Sequence, residues 1–203
     1  MTVALIFFAV NSGVPAKTMQ ELIALARAKP RHFNYASSGK GSLIHLTAEL
    51  VNAAARIDMV HIPYKGMALA FPDIISGRVH VAISSALTML PHLRGGRVHA
   101  LGVTSRKRMP ALPEVPTIEE AGFRGFEVTQ WYAMMAPAKT PPSIIRTVQR
   151  EMTRALLLPE MRARLNDEGA EPVGNTPEEF ARRLREEFAK WEKTIRTAGI
   201  KAD

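Results

Sequence analysis

Tyr35-Ala36-Ser37-Ser38-Gly39-Lys40-Gly41-Ser42-Leu43-Ile44-His45-Leu46 is the stretch on which the reading of this chain turns. Phe33 to Ala36 is β-prone and runs into a Gly/Ser turn. Helical spacing then starts at Leu43 and continues to Ala55, with Leu43, Leu46, Leu50 and Val51 on one side. A strand, a glycine turn and a helix in succession make half of a βα unit. Such a turn has chemistry of its own. The unpaired N–H groups of the first helical turn, together with the helix dipole, attract an anion without any charged side chain. Ser42 fits the turn as a ligand contact and equally as an ordinary N-cap, and spacing leaves both readings open.

The same alternation extends in both directions. Val3 to Val10 is an unbroken apolar run, read here as a buried strand rather than a targeting segment: no positive residue precedes it, and Asn11-Ser12-Gly13 is a poor cleavage site. Thr18 and Glu21 form a capping box opening a helix to Ala28. Met59 to Ile62 reads as a short buried strand, Ala68 to Ser76 as a helix stopped at Gly77, and Val79 to Ile83 and Ala100 to Thr104 as two more strands. The segment from Ser105 to Pro116 is basic and proline-rich, an extended loop. A short helix is expected over Thr117 to Ala121 and a strand over Phe126 to Met135. Helices follow over Ser143 to Leu157, Pro159 to Asp167 and Thr176 to Ala198. Strand and helix in alternation predict an α/β fold with much parallel pairing.

Composition narrows the chemistry. The chain has 203 residues, 46% of them hydrophobic and 23% charged, enough for a real core. It holds no cysteine, which excludes disulfides, thiolate metal sites and cysteine nucleophiles, and leaves the compartment open. The net charge of +8 is uneven: between Glu21 and Glu114 the only acids are Glu49, Asp58 and Asp73, a balance suited to an anionic partner. Gly39-Lys40-Gly41-Ser42 is not a P-loop, because Gly41 rather than Ser or Thr follows the lysine. Six histidines show no HExxH spacing, so no metal is expected; His45 faces either the turn or the helix packing. No Gly-x-Ser-x-Gly elbow and no acid–base pair is found, so no catalytic residue is assigned. Arg106-Lys107-Arg108 and Arg182-Arg183 with Arg185 lack any nucleic-acid-binding signature around them, so no nucleic acid is expected as partner.

Beyond these local patterns, Asn34-Tyr35-Ala36-Ser37-Ser38-Gly39, Gly41-Ser42 and His45-Leu46 resemble the Bug, or TctC, family of periplasmic receptors serving tripartite tricarboxylate transporters. The likeness continues through Asp58-Met59-Val60-His61-Ile62-Pro63-Tyr64-Lys65-Gly66, Leu101 to Ser105, Leu112 to Thr117, Glu120-Ala121-Gly122, Gly125-Phe126-Glu127 and Lys190-Trp191, closing on Ala198 to Asp203. The resemblance implies a type II periplasmic-binding-protein fold, in which two α/β lobes close around a small carboxylate. It implies no cofactor and no catalysis. It implies delivery of the ligand to integral membrane transporter subunits, and a periplasmic location. Carried over by residue, the implied ligand contacts are Ser37, Ser38, Gly39, Gly41, Ser42 and His45, with Tyr64, Lys65 and Gly66 in a neighbouring loop. Ser84 stands in Ile83-Ser84-Ser85, where many members have an aspartate, which points to a ligand without an ammonium group.

The resemblance also sets the expected organisation: residues 1–12 as a strand crossing into the second lobe, 13–125 as that lobe, and 126–203 as the return strand and C-terminal helices of an incomplete first lobe. The resemblance implies that a domain's worth of chain, with which family members begin, is expected to be absent here. Two consequences are expected: self-association through exposed first-lobe surface, as a homodimer, and, as an alternative function, a shortened paralogue acting as an interaction or sensing module.

Overall fold

The computed structural model describes residues 1–198. In chain order the elements are β1 (Thr2–Ala4), β2 (Ile6–Asn11), α1 (Met19–Ala28), β3 (Asn34–Ser37), α2 (Leu43–Ala55), β4 (Val60–Pro63), α3 (Met67–Ile75), β5 (Val81–Ser85) and α4 (Ala86–Arg94). They continue with β6 (Val98–Val103), β7 (Gln130–Tyr132), α5 (Pro142–Leu156), α6 (Pro159–Asp167), β8 (Ala170–Pro172) and α7 (Pro177–Ala198).

The apolar run at the start serves two sheets. Its first part, β1, lies between β7 and β8 in a three-stranded antiparallel sheet. Its second part, β2, is inserted between β5 and β6 in a five-stranded sheet of order β4-β3-β5-β2-β6. Ile6, Phe7, Phe8, Ala9 and Val10 are fully buried there, which is why they carry no polar alternation. The change of sheet falls on Leu5. Its N–H donates to the Gly169 carbonyl (2.9 Å) and its carbonyl accepts from Ala86 N–H (2.8 Å), so the break leaves neither backbone group unpaired.

The expected parallel pairing holds for β3 with β4 and with β5. The other half of the large sheet is antiparallel, because β2 arrives from the small sheet running against both β5 and β6. The segment Met59 to Ile62, read as a buried strand, is shifted by one residue as β4 and is only half-buried, because it forms the sheet edge. Thr117 to Ala121 is a turn rather than a helix. Its reciprocal cap forms (Glu120 N–H to Thr117 Oγ1, 3.0 Å; Thr117 N–H to Glu120 Oε2, 2.7 Å), but Gly122 follows at φ +100 and ends it. Of Phe126 to Met135 only Gln130–Tyr132 is strand, since its partner β1 offers just three residues. The sequence reading passed over α4 and β8. Helices α1 and α2 start at the expected caps, Thr18 with its capping box and Ser42. Gly199 to Asp203, the last residues of the family likeness, lie outside the described residues.

Gly169 sits at the junction with φ +70, and a Cβ on it would lie 2.3 Å from Ala86 Cβ and 3.2 Å from Met109 Cε. Gly169→Ala is therefore expected to lower stability by about 1–3 kcal/mol, read as a lower urea midpoint. Gly96→Ala, at φ +63 but in open space, should cost only about 1 kcal/mol.

Candidate ligand-binding site

The parallel strands β3, β4 and β5 end at one edge of the large sheet, and each leads into a helix that starts there. Helix α2 is capped by Ser42, whose hydroxyl accepts from His45 N–H (3.3 Å). Helix α3 begins after Gly66 at φ +144, and α4 directly after Ser85. Three partially positive helix ends thus share the edge where ligands of open α/β sheets bind.

The connection from β3 to α2 is held largely by its own atoms. Ser37 Oγ donates to the Gly39 carbonyl (3.0 Å) and accepts from Gly39 N–H (3.1 Å). Ser42 N–H donates to the Gly39 carbonyl (3.2 Å). Gly39 and Gly41 adopt φ of +127 and +75, which side chains disfavour. The first bond of the helical ladder runs from Leu46 N–H to the Ser42 carbonyl, so the N–H groups of Leu43 and Ile44 stand outside the helix's own pairing. The β4–α3 connection lies against this loop: Tyr64 N–H donates to the Ser37 carbonyl (3.0 Å), and a Cβ on Gly39 would lie 3.8 Å from the Tyr64 carbonyl oxygen. Tyr64 itself is fixed by donating to Asp73 Oδ2 (2.7 Å), which holds the Asp73 carboxyl below its usual range. Burial, followed by that bond, pushes the Tyr64 phenol up to about 12.

Beside the loop three rings cluster, each within 6.3 Å of the other two. The His45 and His61 rings stack with centroids 3.9 Å apart and planes 10° from parallel, and Tyr35 stacks on His61 at 5.1 Å. Gly41 N–H donates to His45 Nδ1 (3.0 Å), and His61 Nε2 meets Ser37 Oγ at 2.6 Å. Tyr35 O–H donates to Glu49 Oε1 (2.6 Å). Burial raises the Tyr35 phenol pKa, with the Glu49 carboxylate adding to it. Burial lowers both histidines, His61 to about 4, where the His45 ring and then Lys40 push the same way.

The structure therefore brings Ser37 to Ser42, His45 and Tyr64 to Gly66 into one place. Ser38, Gly41 and Lys65 are exposed on its surface, while Ser37 and His45 are buried and bonded from below. Ser84 lies on β5 near the same edge with its residue buried. The sequence reading did not pick out His61, Tyr35 or Glu49 as parts of this arrangement. Tyr35 and His61 are cross-strand partners, and Glu49 lies one turn beyond His45 on α2. Among the described residues no three His, Asp or Glu side chains gather as a metal set. The basic run is tied down by carboxylates, Arg106 to Glu127 (2.7 Å) and Arg108 to Glu120 (2.8 Å). A separate apolar groove of about 440 Å³, lined by Met134, Met135, Ile144, Val148, Met152 and Phe180 among others, shares no residue with the loop.

An α/β sheet with glycine-loop helix starts along one edge, joined by a crossing strand to a smaller sheet, defines a protein of the periplasmic-binding-protein kind. The chain belongs to the tripartite tricarboxylate transporter receptor family, TctC, which it matches over residues 1–200. It is 38% identical over 180 residues to the "UPF0065 protein in tcbD-tcbE intergenic region" of a Pseudomonas species, covering 88% of this chain and 54% of that one. Among solved structures, Rpa4515 of R. palustris with adipate superposes with a TM-score of 0.93 at 34% identity, covering 98% of this chain and 67% of that one. MatC of Rhodopseudomonas palustris with bound malate gives 0.84 at 29% identity, covering 96% and 67%. The chain thus spans about half the length of that curated relative and two thirds of these structures.

A histidine held neutral in the fold but not in the unfolded chain makes stability depend on pH. Below the ordinary value of 6.5 the unfolded chain takes up a proton that folded His61 refuses until about pH 4. Stability from this residue is complete above 6.5 and declines as pH falls to about 4. Melting temperature measured across that window should fall, and His61→Gln should fall less steeply than the parent chain.

Proposed function

We propose that this chain binds a small carboxylate at the shared helix-start edge and hands it on without chemistry. In this reading the ligand lies against Ser38, Gly39, Gly41 and Ser42, with Tyr64, Lys65, Gly66 and Ser84 beside it, and Ser37 and His45 behind. It acts in the periplasm and delivers its ligand to the integral membrane subunits of a tripartite tricarboxylate-type transporter. The observation that carries this is the convergence of the α2, α3 and α4 N-termini with the glycine loop at one edge. The relatives solved with adipate and malate point to the same ligand class. The lobe division expected above is part of the proposal. It is supported by the strand that leaves the small sheet and enters the large one at Leu5.

Magnitudes say what more is needed. An anion at one helix N-terminus gains about 0.3–1 kcal/mol, up to about 2 when partly buried. A micromolar ligand needs about −8 kcal/mol. A second wall that excludes water is therefore required for receptor-like affinity. One edge alone reaches roughly millimolar, about −4 kcal/mol. Titration calorimetry of the folded chain against adipate, malate and a tricarboxylate is expected to show binding to at least one of them. The Gly41→Pro, Ser42→Ala double variant should lose that binding; it gives up about 1 kcal/mol at the α2 cap and more where proline meets φ +75 and removes the bond to His45 Nδ1, so circular dichroism must first show it folded. No heat from any of the three with folded protein would remove the reading.

The apolar groove favours the second reading, an interaction module that pairs with another copy. Met134 and Met135 are each 66% exposed and Ile144 is 52% exposed. Contiguous apolar surface of this kind marks association sites. If the groove joins two copies, Met135→Glu with Ile144→Glu should turn a dimer into a monomer in sedimentation equilibrium. A monomeric parent chain would dismiss the pairing.

A further inference from the structure

We propose that His45 and His61 are positioning residues that shape the glycine loop from beneath, and that each does so as a neutral ring carrying its proton on Nε2. The inference rests on the carboxylate reading for its purpose, while its geometry needs no ligand. Ser37 Oγ touches three partners: the Gly39 carbonyl at 3.0 Å, Gly39 N–H at 3.1 Å and His61 Nε2 at 2.6 Å. A hydroxyl has one proton, and only the Gly39 carbonyl is unable to donate, so that proton goes there. Ser37 then accepts from Gly39 N–H and from His61, which must hold its proton on Nε2. Gly41 N–H points at His45 Nδ1 (3.0 Å), so Nδ1 is bare and the His45 proton is on Nε2 as well. Each histidine thus settles one glycine of the loop, His61 through Ser37 onto Gly39 and His45 directly onto Gly41.

The arrangement fails if His45 becomes charged. Its second proton would go on Nδ1, facing the Gly41 N–H, and both groups would then be donors. A proton on His61 leaves its bond to Ser37 intact but sets a cation against a ring 3.9 Å away. The charged groups bearing on the pair are Lys40 in the loop, which opposes protonation of both, and Glu49 on α2, which favours it for His45. Tyr35, whose ring lies 5.1 Å from His61 and 6.3 Å from His45, is neutral and occupied with Glu49. Burial tips the balance toward the neutral rings. Neither histidine needs to touch a ligand for this role: His45 is 7% exposed and its loop-facing nitrogen is already used.

The test pairs a variant that keeps the ring with one that keeps the acceptor. His45→Phe preserves stacking and removes Nδ1; His45→Asn places Oδ1 where Nδ1 was and cannot take a proton at acid pH. In the unliganded full chain, amide exchange of Gly41 followed by NMR is expected to quicken about tenfold in His45→Phe, the worth of one hydrogen bond. It should return toward the parent value in His45→Asn, which should also keep its protection to lower pH than the parent. Adipate affinity, where the parent chain binds it, should fall and recover in the same order. Unchanged Gly41 exchange in His45→Phe overturns the proposal. Should that variant not fold, the ¹⁵N shift of His45 Nδ1 in the parent chain decides: an unprotonated acceptor value at neutral pH supports it, and a protonated value overturns it. A parent chain that ignores adipate, malate and the tricarboxylate while Gly41 responds as expected would sink the carboxylate reading and leave the positioning role standing.

Discussion

Everything else in the molecule depends on the backbone pairing at Leu5. A continuous run of apolar residues has to be buried on both faces, and a single strand of that length would lie in one sheet. Here Thr2 to Asn11 is shared, three residues to one sheet and six to the other. The exchange is possible because Gly169 and Ala86 take the two backbone groups that neither ladder can use. Ala86 is also the first residue of α4, and Gly169 directly precedes β8. One residue's hydrogen bonds therefore join the crossing strand, a helix of the candidate ligand edge and the small sheet. The close packing there leaves no room for a side chain at Gly169.

The direction of β2 follows from that crossing and decides the shape of the large sheet. Since β2 opposes both β5 and β6, those two point the same way with β2 inserted between them. The remaining strands β3 and β4 join β5 in the same direction. Strands that agree in direction bring their C-terminal ends, and the helices that follow, to a common edge. The N–H groups left unpaired at those helix starts are a consequence of helix geometry rather than of any special residue. What the sequence adds locally is the glycine pair that lets the backbone turn there, and the serine that ends the turn as a cap.

How much of this could be read beforehand follows the range of the interactions. Helix α2 was legible to the residue because its cap, glycines and apolar spacing all lie within it. The α1 capping box, Thr18 with Glu21, is equally local. Helix α4 was not, since Pro91 interrupts its pattern and its start is marked only by Ser85 emerging from a strand. The turn at Thr117 has the cap of a helix and none of its length, because Gly122 follows too soon. β8 is three residues whose strand character comes wholly from pairing with β1. The loop from Ser37 to Ser42 was visible as a candidate site, whereas its support was not: Tyr35, His61 and His45 come from two strands and a helix, and only the β3–β4 register makes the first two neighbours.

That hidden support aims the loop's backbone groups from beneath, through Ser37 onto Gly39 and directly onto Gly41. A backbone N–H site gains its selectivity from direction, and a few tenths of an ångström in a glycine turn redirects an N–H. A charged group under such a loop would attract the anion from every side and fix no angle. Neutral imidazoles do the reverse: each offers a donor on one nitrogen and an acceptor on the other, in a plane locked by stacking. His45 uses the acceptor and His61 the donor, so together they hold one loop carbonyl's serine and one loop N–H. The surrounding burial that keeps both rings neutral is therefore part of the site's geometry. Positive potential at the surface of this candidate site comes from the helix ends, with the exposed Lys65 beside the loop.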